Sequence, residues 1–325
     1  MEKITWVGSS VGDYDIDLEL CEGPFSTVYR GTVGGAGEPV VIKAAKIDGM
    51  IGANELGTGC FATEARVTRI GGTEAVYPAA QQVLQQQFEK LRVNSCPQLV
   101  SVDKFIKTDL ICYYTMEYLE GITFRDMLTL GQVTISQLIS VLKSVDDLSR
   151  QDGWDYHGDL KPENIIICRR GAVLIDPGYF GPIESEGFEY RDAAITTPSY
   201  YPCLDPDDLL ALGVTIWEAI VGSHPLRKVP EELRRDRRLM GNALRELVED
   251  QETVGKYFLT PLLDVPFPRS LKPGISEEGE NFLLRLLRLR KGAEAGVLLD
   301  LDPGFSSAAE ILEGLRSLSD IPEHF

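Results

Sequence analysis

Apolar and polar residues alternate from Tyr14 to Leu20, the period of a half-buried strand. A small-residue turn follows at Glu22-Gly23-Pro24, and Phe25 to Gly31 predicts a second strand. Val40-Val41-Ile42-Lys43 predicts a third. An apolar strand that ends in Lys is unusual: Lys43 either marks the strand end or points into a cleft. Residues 46–78 are Gly-rich and poorly periodic, with room for a short helix near Ala62 to Arg69. Ala79 to Leu91 holds neither Gly nor Pro and predicts a helix. Leu99 to Phe105 and Leu110 to Glu117 predict two more strands, and Glu120-Gly121 interrupts the pattern. Helical spacing resumes from Ile135 to Leu148. Beyond residue 205, apolar positions recur at three and four residues over 208–221, 240–249, 281–289 and 307–318. A β-rich first half and a helical second half imply two lobes that meet near Glu120.

Composition narrows this only slightly. The 325 residues allow a large core, and 43% hydrophobic with 25% charged residues is ordinary for a soluble globular chain. The longest greasy stretch, Leu209 to Val221, carries Glu218 in its middle and predicts a buried helix rather than a membrane span. The opening Met-Glu-Lys has no apolar signal region, and the six cysteines are scattered without a Cys-X-X-Cys. Both suit a reducing cytoplasm and argue against a disulfide framework. The net charge of −18 opposes binding to nucleic acid or to an anionic membrane. It either serves solubility or favours basic partners.

The chemistry concentrates in Asp155-Tyr-His-Gly-Asp-Leu-Lys-Pro-Glu-Asn-Ile-Ile-Ile167 and in Ile175-Asp-Pro-Gly178. His-X-Asp is common by chance, and Asp-Pro-Gly is an ordinary turn. The joint pattern of His157, Asp159, Lys161, Asn164 and Asp176 is far more specific. Phosphoryl transfer needs such a set: one Asp to orient the attacking hydroxyl and accept its proton, one Lys to offset charge on the moving group, and an Asn and a second Asp to hold Mg²⁺.

This run resembles the catalytic loop and metal-binding triplet of the protein-kinase family, and the resemblance extends from about Tyr14 to about Leu318. It implies an α+β, bilobal protein-kinase-like fold. A small β-rich N-lobe would span 1–119, with an insertion at about 46–78, and a larger, mainly helical C-lobe 120–325. Asp159, Lys161 and Asn164 would be catalytic, and Asn164 and Asp176 would hold Mg²⁺ or Mn²⁺ on ATP. Cys21 to Val28 occupies the place of the Gly-rich loop. It keeps Gly23, Phe25 and Val28 but has Cys21 and Ser26 where glycines are usual. Lys43 would contact the α- and β-phosphates, with Val28, Val41 and Ile166 around the adenine. Met116 would stand behind the adenine, and the backbones of Glu117 and Leu119 would hydrogen-bond it. The Lys should pair with a helix Glu. Spacing back from Pro97-Gln-Leu-Val100 points near Gln87, Glu89 is the closest acid, and Glu64 is an outside alternative. Glu89 is the residue this reading assigns.

The departures also carry meaning. Gly158 stands where the family has Arg, so the usual receptor for a phosphorylated loop is missing and activity without loop phosphorylation is expected. Pro177 replaces the middle Phe. Thr196 to Pro202 resembles the end of an activation segment, with Cys203 in place of the closing Glu, and Thr196 and Thr197 are candidate autophosphorylation sites. Asp208 would hydrogen-bond the catalytic-loop backbone. Gly213, Trp217, Gly222 and Pro225 continue the match. The resemblance implies ATP-dependent transfer to Ser or Thr of a protein substrate, and the acidic chain favours a basic one. Two alternatives stay open: a small-molecule phosphotransferase resembling aminoglycoside or fructosamine kinases, which share His-Gly-Asp, and a non-catalytic binding module. Oligomeric state is not legible.

Overall fold

The computed structural model describes residues 6–23, 25–34, 37–45, 73–108, 111–185, 188–195, 200, 207–225, 265–292 and 299–318. Most of the expected insertion, Glu64, Thr196, Thr197 and the helix expected at 240–249 lie outside the described residues. The chain groups into two compact units. Unit 1 is Met1–Glu120 with Pro177–Ile195, and unit 2 is Gly121–Asp176 with Thr196–Phe325. The segment Pro177–Ile195, assigned to the second lobe by sequence, therefore groups with the first.

Unit 1 is built on a six-stranded antiparallel sheet in the order β1-β2-β3-β4-β6-β5. Its strands are β1 (Ser10–Val11), β2 (Tyr14–Glu22), β3 (Ser26–Val33), β4 (Pro39–Ala45), β5 (Val102–Lys107) and β6 (Cys112–Glu117). Alternation places Tyr14, Ile16, Tyr29, Ile42, Ala44 and Tyr113 in one buried cluster. Trp6 closes that cluster by stacking on Tyr29 at 5.4 Å between ring centroids. Helix α1 (Thr73–Val93) covers the other face, where Phe88 meets Tyr114 at 5.9 Å and Phe105 at 5.5 Å. The strand β4 is thus buried on both faces, which is why its sequence, Lys43 apart, is an apolar run rather than an alternation.

Unit 2 begins with β7 (Gly121–Thr123), α2 (Phe124–Thr129) and α3 (Ile135–Ser149). Thr134 and Gln137 form a capping box that starts α3. A 3-10 turn (Pro162–Asn164) leads into β8 (Ile165–Cys168) and β9 (Gly171–Leu174), which form a three-stranded sheet with β7. Ser144 of α3 donates to the Ala172 carbonyl at 2.7 Å, and Ser140 accepts from the Ala172 amide at 2.9 Å, so α3 and β9 are locked in register.

Two hairpins are absent from the sequence expectation. One is β10 (Tyr179–Ser185) with β11 (Phe188–Ile195) in unit 1, packed beside α1. The other follows the helices of unit 2. Helices α4 (Asp208–Val221), α5 (Pro268–Leu271) and α6 (Glu277–Leu286) precede the pair β12 (Leu289–Lys291) and β13 (Leu299–Leu301), and α7 (Ala308–Ser317) ends the described chain.

Helix α4 is the core of unit 2. Trp217 is fully buried in it, and so are Leu212, Val214 and Ile216. Gly213 lets α6 come close: a Cβ at that position would collide with the backbone carbonyl oxygen of Leu286. Gly213→Ala should therefore destabilise unit 2 by about 1–3 kcal/mol despite its better helix propensity. Thermal unfolding of the two proteins measures this, and an unchanged or raised midpoint would refute the close approach.

Candidate active site

The segment of unit 2 that holds the candidate residues is tied to one carboxylate. Asp208, in the first turn of α4, accepts the backbone amides of His157 at 2.5 Å and Gly158 at 2.9 Å. Gly158 has φ 85°, a left-handed backbone that a side chain would strain. The His157 ring is buried beneath the segment. Its Nδ1 accepts from the Asp159 amide at 3.3 Å, which leaves Nε2 to donate to the Ile175 carbonyl at 3.1 Å. One neutral tautomer thus joins the loop to the end of β9.

Asp159 leaves this frame with its carboxylate engaged from two sides. Lys161 Nζ lies 2.9 Å from Asp159 Oδ2. Asn164 Nδ2 lies 2.9 Å from the same oxygen, 2.8 Å from the Asp159 carbonyl and 3.3 Å from the Asp176 carbonyl. The Ile175 amide donates to the Asn164 carbonyl at 3.0 Å, which fastens the second acidic segment to the first. Asp176 itself has φ 57°, uncommon for a residue with a side chain. Burial works to lower the Lys161 pKa, but Asp159, then Asp176 and Glu163, outweigh it and hold the ammonium above its ordinary value. Lys161 is therefore cationic throughout the neutral range.

Among the described residues no cluster of three or more His, Cys, Asp or Glu side chains is arranged to hold a metal by itself. In general, Mg²⁺ carried on nucleotide phosphates takes only one or two protein oxygens and the rest from phosphate and water. Asp176 and Asn164 can supply those oxygens.

In unit 1, register puts Val28, Val41, Lys43 and Met116 on one sheet face. Val28 pairs with Lys43, and Val41 pairs with Met116. The face is the one that α1 covers. Lys43 is buried and donates to Gln87 Oε1 at 2.9 Å, and Gln87 Nε2 donates to the Pro177 carbonyl at 2.6 Å. The helix partner of Lys43 is thus Gln87, which corrects the assignment of Glu89. Glu89 lies about 200° further round α1, is 44% exposed, and pairs with Arg92 at 2.6 Å. Spacing had pointed to residue 87; the preference for an acid moved the choice to the wrong face.

Gly23 closes the β2–β3 turn by donating its amide to the Ser26 carbonyl at 2.8 Å, so that amide is spent within the loop. A Cβ at Gly23 would meet Ser26 O at 3.5 Å, an ordinary contact. The Glu117 amide donates to the Ser101 carbonyl at 3.0 Å, and its side chain accepts the Ser101 amide at 2.8 Å. Any main-chain contact from Glu117 to an adenine must come from its carbonyl. Leu119 follows β6 in unit 1, half-buried, and Ile166 lies half-buried on β8 in unit 2.

One cluster escaped the sequence reading. Arg125 of α2 bonds Glu163 at 2.7 Å, Glu218 at 2.7 Å and the Tyr200 hydroxyl at 2.5 Å. Tyr200 in turn donates to Glu218 at 2.6 Å. Burial and the neighbouring Glu218 carboxylate push the Tyr200 hydroxyl pKa far up. Burial would raise the Glu218 pKa, yet hydrogen bonds from Arg125 and Tyr200 bring it below the ordinary carboxylate value. A single Glu in a greasy run was the one available signal.

A group with a depressed folded pKa stabilises above its unfolded pKa, near 4.3 for glutamate, and loses that contribution as pH falls through the folded value. Glu218→Gln should therefore cost about 1–3 kcal/mol at pH 7, since Arg125 keeps only part of its partner set. The gap from wild type should shrink as pH falls below about 4. Denaturant titration at both pH values measures this. A gap that widens in acid would show that the cluster does not hold Glu218 ionised.

No family model matches the chain. It is similar to a probable serine/threonine-protein kinase of Dictyostelium discoideum, 24% identical over 66% of this chain and 40% of that protein. A probable serine/threonine-protein kinase of Clostridium perfringens is 28% identical over 40% of this chain and 21% of that protein. Serine/threonine-protein kinase PrkC of Bacillus subtilis is 24% identical over 40% and 22%. The matches thus span two-fifths or less of these relatives' lengths. Among solved structures, a mutant form of the PknI kinase domain of Mycobacterium tuberculosis aligns over 97% of this chain and 98% of that one, with a TM-score of 0.53 at 15% identity. The apo form of PpkA-294 aligns over 95% and 98%, with a TM-score of 0.55 at 17% identity. The fold is that of protein kinase domains, α+β with an antiparallel sheet in unit 1 and helices dominating unit 2. In sequence the chain is similar to proteins named as serine/threonine-protein kinases.

Proposed function

We propose that this chain transfers the γ-phosphoryl group of ATP to serine or threonine hydroxyls of protein substrates. The observation that carries this reading is the convergence of Lys161 and Asn164 on one oxygen of Asp159, with Asn164 also tied to Asp176. A purely structural aspartate needs no such arrangement, whereas phosphoryl transfer depends on positioning these groups. Named serine/threonine kinases among the sequence relatives support the same chemistry.

In this reading the Asp159 carboxylate orients the substrate hydroxyl and takes its proton as the new oxygen–phosphorus bond forms and ADP leaves. Lys161 offsets charge on the moving group, for which its raised pKa keeps it cationic. Lys43 holds the α- and β-phosphates. Asn164 and Asp176 hold Mg²⁺, which neutralises phosphate charge when bound. Val28, Val41, Met116 and Ile166 supply apolar surface to the adenine, and Leu119 a backbone donor. The acidic chain, at a net −18, favours basic substrate segments through electrostatic complementarity.

The test is transfer of labelled phosphate from Mg-ATP by wild type, Asp159→Asn and Asp176→Ala. The acceptors are the protein alone, a basic protein and an aminoglycoside panel. We expect label on protein, reduced by a factor of roughly 10² or more in Asp159→Asn and lost in Asp176→Ala. Label confined to small molecules would move the activity to small-molecule phosphotransfer. Absence of transfer with absence of a Mg-ATP thermal shift would leave a fold used for binding.

A further inference from the structure

Residue 87 of α1 faces Lys43 on one side and the main chain after Asp176 on the other, so its side chain must accept on one side and donate on the other. Its Oε1 accepts from Lys43 Nζ at 2.9 Å, and its Nε2 donates to the Pro177 carbonyl oxygen at 2.6 Å. All three groups are buried. A carboxamide carries an acceptor and a donor on one planar group; an ionised carboxylate carries acceptors only. A glutamate here would still meet the lysine, but it would set a negative oxygen against a carbonyl oxygen in a buried position.

We infer that Gln87 is a positioning residue: its neutral carboxamide ties Lys43 to the peptide carbonyl that directly follows Asp176. Gln87 touches no reacting atom. It acts by fixing the backbone next to a proposed metal-holding side chain while it orients the lysine proposed for the phosphates. The inference rests on the phosphotransfer reading for its consequence, though not for the tether itself. It also gives the residue type at 87 a reason, because Gln serves a two-sided contact that the closest acid on the helix, Glu89, is turned away from.

Two experiments on the full chain test it. The first uses wild-type protein alone: the Gln87 side-chain amide protons, observed by nitrogen-15 NMR, should exchange slowly and separately from those of exposed glutamines such as Gln85 and Gln86. Exchange as fast as those would overturn the tether outright. The second compares wild type with Gln87→Glu by amide exchange at Gly178 and Tyr179 and by kinetics with Mg-ATP. We expect faster exchange at both amides. We also expect a fall in kcat of about tenfold, the rate equivalent of one hydrogen bond, with KM for ATP moved by less than about threefold.

A loss of stability with unchanged exchange and unchanged kcat would make Gln87 a packing residue and refute the inference. Should Gln87→Glu not fold, Gln87→Met removes both bonds at similar size, and the same two readouts apply. Wild type that neither transfers phosphate nor shifts its melting with Mg-ATP defeats the proposed function instead. The exchange data on the two amides would still decide whether the tether exists.

Discussion

The proposed chemistry of unit 2 hangs on the Asp208 carboxylate. Two consecutive backbone amides, at His157 and Gly158, have no helix or strand to satisfy them, and an ionised acceptor gives each a charge-assisted bond. The same charge sits in the first turn of α4, where the helix dipole favours it. Burial of α4 around Trp217 is thereby transmitted to the segment that presents Asp159. His157 then carries the order onward to Ile175, and Asn164 carries it to Asp176. Each step uses a neutral hydrogen-bonding group whose geometry admits one arrangement.

Much of this was legible because it is local. Alternation announced β2, an apolar run ending in Lys43 announced β4, helical spacing announced α3, and the spacing of Asp159, Lys161 and Asn164 announced their grouping. What was hidden is nonlocal. Arg125, Glu163, Tyr200 and Glu218 come from four separate segments, and no short-range pattern links them. The β10–β11 hairpin was masked by Gly181-Pro182, which reads as a break. The chain accommodates it with a register shift between Gly181 and Ile183, so the proline costs no ladder bond. The Lys43 partner failed for a chemical reason: an acid was expected opposite a cation, but burial beside a carbonyl selects an amide.

The charge balance explains why so many cations here are shared. With 32 Lys and Arg against 50 Asp and Glu, each cation in a structured position has a surplus of acids to serve. Arg125 bridges Glu163 and Glu218, Arg285 bridges Glu310 and Asp302, and Lys291 lies between Glu277 and Glu280. Such multi-armed pairs immobilise one long side chain for two partners, which costs less entropy per contact than isolated pairs. Half-buried examples like Arg125 also fix tertiary geometry, because the guanidinium fork accepts few arrangements.

The sheet of unit 1 ends, among the described residues, in two unequal borders. One is β1, only two residues long. The other is β5, whose Asp103, Lys104 and Lys107 are exposed along its length. An apolar sheet with a strand as greasy as β4 at its centre is a template on which stray chains could zip up, and its borders decide whether that happens. A stub too short to seed pairing and a rim studded with desolvation-averse ions make both borders poor docking lines. The charged rim thus guards the folded chain against fibrous association, a role unconnected with phosphate chemistry.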